Sequence, residues 1–165
     1  MMQIEKFYTL SSEEQDSYIQ QIEYENNDEK WSFLVAILKN PDVSNKDFNL
    51  LAIDILKILE IAKIPSNYLG IIEEVIVEII KKNQDDDIKN YALIASKNFI
   101  NKNYNIRGAI LDFLQSNCED LTLRFNALNS FKSLSSVEDK VKVFTLFKDD
   151  EQLQKYVNFF LNDLL

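Results

Sequence analysis

Apolar residues in this chain recur at steps of three and four, and the clearest case is the stretch from Asp85 to Phe99. Ile88, Tyr91, Ala92, Ala95 and Phe99 there line one side of a helix. Alanine at 92 and 95 narrows that side in the middle, which lets another helix approach closely. The same reading extends along the chain. Ser11 and Ser12, followed by Glu14 and Gln15, carry a capping-box signature and open a first helix over 12–24, with Tyr18, Ile19 and Ile22 inward. A second helix covers 29–39 and presents Trp31, Leu34, Val35 and Leu38 before Asn40-Pro41 stops it. A long third helix starts near Asn45 and carries Phe48, Leu51, Ala52, Ile55, Leu59 and Ala62. Ile64-Pro65 breaks it, and Ser66 is the expected N-cap of a fourth helix ending near Lys82. Further helices follow at 86–101, 104–116, 120–134 and 136–148, and a ninth begins at Asp149 and Asp150. It turns Leu153, Tyr156, Val157, Phe160 and Leu164 inward.

Composition supports this pattern. Two glycines and two prolines in 165 residues are too few for the frequent turns of an all-β chain. A 46% hydrophobic content suffices for one well-buried domain or a short repeat array. The formal charge of −9 argues against a nucleic-acid partner and against anionic membrane surfaces, and favours a basic protein. The single cysteine, Cys118, suits a reducing compartment. The first ten residues show no signal-peptide pattern, and the most apolar run, 68–80, is interrupted by Glu73, Glu74 and Glu78. The expected location is the cytoplasm, with no membrane span.

Internal similarity sharpens the fold. Phe48-Asn49-Leu50-Leu51-Ala52 aligns with Ile88-Lys89-Asn90-Tyr91-Ala92, with Leu123-Arg124-Phe125-Asn126-Ala127, and loosely with Leu153-Gln154-Lys155-Tyr156-Val157. The interval falls from about 40 to about 30 residues, near the range of two-helix repeats. The elements Asp86-Asp87-Ile88-Lys89-x-x-Ala92-x-x-Ala95 and Asp120-Leu121-x-Leu123-Arg124-x-x-Ala127 resemble the HEAT-repeat family and its short bacterial relatives. The resemblance covers about 42–165, with Asn49 and Gln154 standing where the family has a basic residue. The Trp, Leu-Gly and Tyr signature of tetratricopeptide repeats is absent. The resemblance implies an all-α fold, a right-handed α-α superhelix of about nine helices in a single domain over 1–165. Its parts would be an N-terminal helix pair over 1–40, repeats at 41–83, 84–117 and 118–149, and a capping helix over 150–165. Neighbouring pairs would stack into a curved slab, first helices outside and second helices on the concave face.

Candidate chemistry is sparse. The chain has no histidine, so Ser–His and Cys–His nucleophilic catalysis is excluded. Glu119 and Asp120 beside Cys118 raise its thiol pKa, which reads as an ordinary cysteine. Asp85-Asp86-Asp87 lacks the ligand spacing and glycine of a calcium loop and reads as a helix cap. No metal and no cofactor are expected. Most aromatics fall at core spacing, while a few, such as Phe33, Phe125 and Phe159, fall off the inward stripe and are candidate contact anchors, with core or inter-repeat packing the expected role of any one of them.

The expected function is therefore non-catalytic protein binding by a monomer. Glu73, Glu74, Glu78, Asp112, Glu138 and Asp139 would lie on neighbouring second-helix surfaces and receive a basic partner. Small acidic helical chains of this kind look like immunity proteins, which mask a cognate toxin such as a nuclease. The alternatives are an enzyme on a HEAT-like scaffold, either a DNA glycosylase or a chromophore lyase, and a small adaptor or assembly factor. A glycosylase needs a basic groove, whereas the expected lining is acidic.

Overall fold

The computed structural model describes residues 2–40, 47–82, 85–116 and 120–164, and among them the fold is all-helical, without a strand. The elements are α1 (Ile4–Phe7), α2 (Ser12–Ile22), α3 (Glu29–Lys39), α4 (Phe48–Ile61), α5 (Leu69–Lys82), α6 (Asp86–Ala95), α7 (Tyr104–Leu114), α8 (Leu121–Ser130), α9 (Val137–Leu146) and α10 (Gln154–Asn162). The expected start near Asn45 and the Cys118 corner lie outside the described residues.

Local chemistry sets the helix ends. Ser11 and Glu14 form the reciprocal capping box that opens α2. Asp85, Asn103, Asp120 and Ser136 each accept a backbone N–H at the starts of α6, α7, α8 and α9. For the Asp85-Asp86-Asp87 run, this puts the first carboxylate in a capping role. Ser66 is not the N-cap expected of it. Pro65 occupies that place, and Ser66 begins a 3₁₀ turn, Ser66–Tyr68, that leads into α5. The helices expected to reach 101 and 134 stop as α-helices at Ala95 and Ser130, and one 3₁₀ turn follows each. The next hydroxyl in the first case, Ser96, bonds back to the Ala92 carbonyl at 2.8 Å. Ser130 does the same to Asn126 at 2.9 Å, and such back-bonding loosens the α ladder.

The helices pack in two rows. α2, α4, α6 and α8 lie side by side in one, and α3, α5 and α7 in the other. The rows approach closely where α3 is followed by α4, α5 by α6 and α7 by α8, while α9 packs on α10. Ala52, Ala92 and Ala127, at one register position of α4, α6 and α8, are all buried. They remove side-chain bulk where the first row is tightest. The apolar core runs without a break from Phe7 to Phe160.

Side-chain hydrogen bonds repeat from one pair to the next. Asn49 donates to Asp85 at 2.6 Å, Asn98 to the carbonyls of Leu59 and Ala62 at 2.8 Å, and Asn101 to that of Ser133 at 2.6 Å. Asn126 donates to Asn90 at 2.7 Å and Ser130 to the Leu93 carbonyl at 2.6 Å. The partners are 32 to 39 residues apart, about one helix pair.

One element, α1, was not anticipated. α1 is too short to show a period, yet Phe7 is fully buried and meets Phe33 edge-to-face with centroids 5.3 Å apart. Tyr18 completes that aromatic cluster. Phe33, at 7% exposure, is thus a core residue and not a contact anchor. Phe125 packs on Tyr156 with centroids 4.7 Å apart, and of the three off-stripe aromatics Phe159 alone stays outside, 59% exposed.

Arg124 is 8% exposed and pairs with Asp150. It also donates to Gln152 at 2.9 Å and to the Leu114 carbonyl at 3.1 Å. Burial pushes the Asp150 carboxyl up, but Arg124 and the backbone N–H groups of Leu153 and Gln152 outweigh it and hold the pKa below the ordinary 3.8. A depressed carboxylate adds stability above its unfolded pKa, and this is lost as pH falls through the lower folded value. Asp150→Ala strands a buried guanidinium and is expected to reduce stability by about 3 kcal/mol in denaturant unfolding at pH 7. The deficit should narrow as pH falls below the ordinary carboxylate range.

Candidate interaction face

The six expected acids are distributed over the second row and α9. Glu73, Glu74 and Glu78 stand on α5, Asp112 on α7, and Glu138 and Asp139 in the first turn of α9. Each already has a partner. Glu74 pairs with Lys39 of α3 at 2.9 Å, Glu73 accepts from Asn105 of α7, and Asp112 lies 3.6 Å from Lys81 of α5. Asp139 lies 3.8 Å from Arg107 of α7. These contacts form rungs across α3, α5, α7 and α9. Glu78 and Glu138 pair within their own helices, with Lys82 at 3.0 Å and Lys142 at 2.7 Å. The hydrogen bond and charge of Lys142 hold the Glu138 carboxyl below its ordinary range. Exposed pairs of this kind are worth little in water, so an incoming charge exchanges them readily.

Three of the six come together. Glu73, Glu74 and Asp112 line a cavity of about 320 Å³ between α5 and α7, with Val77, Lys81, Tyr104, Asn105, Gly108 and Ala109. A second cavity of about 470 Å³ adjoins it, where Lys81 and Lys89 stand against the single acid Asp112, with Phe113 and Ser116. Glu78, Glu138 and Asp139 line neither.

Tyr104 is 82% exposed. The reason is register. Ile106, Ala109, Ile110 and Leu114 form the buried stripe of α7, which leaves Tyr104, Gly108 and Asp112, spaced four apart, on the other side. Arg107 covers one side of the Tyr104 ring, its guanidinium carbon 5.1 Å from the centroid. Tyr24 is likewise exposed, beyond the end of α2.

Neither backbone conformation nor close packing requires glycine at 108, and the same holds for Gly70. Gly108 has no positive φ, and a Cβ built there meets nothing within 4 Å. Glycine inside a helix costs about 0.8–1 kcal/mol relative to alanine. In a chain with only two glycines, this one lies in the middle of α7, at the floor of the cavity.

A second cluster lies across the first row. Asp16 of α2 and Asp54 and Lys57 of α4 line a cavity of about 420 Å³. Lys57 is 2.7 Å from Asp54. Burial, then the charge of Asp54, pushes the Asp16 carboxyl up, and Lys57 only partly offsets them. The Asp54 hydrogen bond raises Lys57 in turn. Among the described residues no three carboxylate or thiol groups gather closely enough to hold a metal ion, and no helix is long and apolar enough to cross a membrane.

No family model matches the chain, nor does any curated protein or solved structure.

Two stability measurements test this placement. A raised carboxyl pKa leaves stability intact below the unfolded pKa and erodes it as pH rises through the folded value. Asp16→Asn should therefore stabilise the chain at pH 7 in urea unfolding, with the gain disappearing by pH 3. Gly108→Ala, free of clash, should raise the melting temperature by about 2–4 °C.

Proposed function

We propose that this chain is a non-catalytic protein-binding module for a basic partner, and that it serves as an immunity protein covering a cognate toxin such as a nuclease. The fold we infer behind that role is a HEAT-like array of helical hairpins in a right-handed superhelix. Two rows of helices and side-chain hydrogen bonds spaced about one pair apart support it. The face built from α5, α7 and α9 is the docking surface, acting in the cytoplasm on a monomer.

The observation that carries the reading is the grouping of Glu73, Glu74 and Asp112 around one cavity beside a fully presented aromatic ring. Aromatic anchors surrounded by exchangeable polar contacts are the usual energetic centre of an interface. A formal charge of −9 adds long-range attraction for a basic protein and repels nucleic acid. A nuclease is basic where it grips nucleic acid, so an acidic inhibitor matches that surface.

The test is affinity capture from extract of the source cells, followed by mass spectrometry. A basic protein is expected, retained by the wild-type chain and at least tenfold less by the Glu74→Lys, Glu78→Lys double variant, whose circular dichroism and melting should stay near wild type. Capture unchanged by the double reversal would remove this face from the reading. Tight, salt-sensitive binding to DNA would remove the reading itself.

A further inference from the structure

We propose that the cavity at the corner where the chain turns from α4 to α5 and from α6 to α7 binds a small organic anion, a carboxylate on a compact apolar body. This goes beyond the protein-binding reading. Among the described residues, the lining shares Glu73 alone with the docking cavity. Local chemistry builds the corner. Pro65 keeps α4 from continuing, and the 3₁₀ turn Ser96–Asn98 brings Asn98 against the end of that helix. Asn98 Nδ2 donates at 2.8 Å to the carbonyls of both Leu59 and Ala62, so the two corners are pinned together. A space of about 230 Å³ stays open beside this joint. Ala62, Ile64, Leu69 and Phe99 give it an apolar side, with Phe99 buried. The volume lies below that of pockets for drug-sized ligands, which limits the occupant to about a single ring.

The charge of the occupant follows from the lining. Lys63 comes from one corner and Lys102 from the other; both are exposed, and neither pairs with an acid among the described residues. Residues 61–72 and 88–111, which supply all the described lining except Glu73, contain none of the chain's 27 acids. The same two stretches carry Lys63, Lys89, Lys97, Lys102 and Arg107, a local reversal of the formal charge of −9. The Glu73 carboxylate accepts from Asn105, which lines the neighbouring cavity and not this one. Two lysines against one acid leave one positive charge to be met, which selects a monoanion. Asn103 adds a neutral donor. Its Oδ1 accepts the Asn105 and Ile106 N–H groups at 3.1 Å, which leaves Nδ2 without an acceptor in the fold. A carboxylate is the acceptor that such donors bind most strongly, and its apolar body covers the Ile64, Leu69 and Phe99 side.

The test titrates the full chain, labelled with nitrogen-15, at low salt with benzoate, its neutral isostere benzamide, and inorganic phosphate. Millimolar benzoate should shift the backbone amides of residues 62–69 and 98–103, and the other two should not. Lys63→Gln and Lys102→Gln should each weaken benzoate at least fivefold, and the double variant should abolish the shifts. Both side chains are exposed and unpaired, so each variant should melt near wild type. Lys155→Gln removes another exposed, unpaired lysine and should leave the affinity unchanged, which separates the cavity from diffuse attraction by cations. Absence of benzoate shifts, shifts centred elsewhere, or an affinity indifferent to both cavity variants overturns the proposal. Equal binding of benzamide overturns the choice of an anion, and equal binding of phosphate overturns the apolar body. None of these results bears on capture of a basic protein, which reads a different face.

Discussion

Close approach of the first-row helices is the constraint on which the rest of this fold depends. Ala52, Ala92 and Ala127 fall at the same place on α4, α6 and α8, all without exposure. None of these helices carries enough apolar surface to be stable alone, since a helix of ten to fourteen residues is marginal in water. A small residue at the crossing lets the larger ones on either side, such as Ile55, Leu59, Ile88 and Leu123, interdigitate with the neighbouring helix. The second row is then laid against the first, and the outward side of that second row is what solvent or a partner meets.

Polar chemistry follows the same geometry. Side-chain amides and one buried hydroxyl join consecutive pairs. Asn98 holds two carbonyls at the end of α4 and its following corner, and Ser130 reaches the Leu93 carbonyl on α6. Arg124 joins α8 to the turn before α10 through its ion pair with Asp150 and its hydrogen bond to Gln152. The outward acids are spent differently. They are exposed, their ion pairs are weak, and a partner of opposite charge can replace them with little loss.

Much of the architecture was legible from the chain alone, because capping and periodicity are local. Ser11 with Glu14, Asp85 and Asp120 mark helix starts by chemistry that acts within three residues. The misreadings have physical causes. α1 spans one turn, too short for a period, and it is held by Phe7 packing on Phe33, a contact between residues far apart in sequence. Ser96 and Ser130 convert the last turn of their helices to 3₁₀ by back-bonding, which apolar spacing does not reveal. The division of the six acids into three at the cavity and three elsewhere depends on how α5 and α7 are set side by side, which no local pattern reveals. Tyr104 could have been found from its four-residue spacing to Gly108 and Asp112, opposite the stripe of Ile106 and Ile110.

Because the joining hydrogen bonds reach only to the next pair, no long stretch of chain must close before they form. Opening is correspondingly graded. A central helix such as α6, flanked by α4 and α8 and backed by α5, must shed neighbours on several sides before its amides meet deuterium. α9 leans chiefly on α10 and on the turn after α8, and it opens more cheaply. The molecule is therefore most firmly held at α6 and most yielding at α9, so exchange is expected to spread inward from the C-terminal helices.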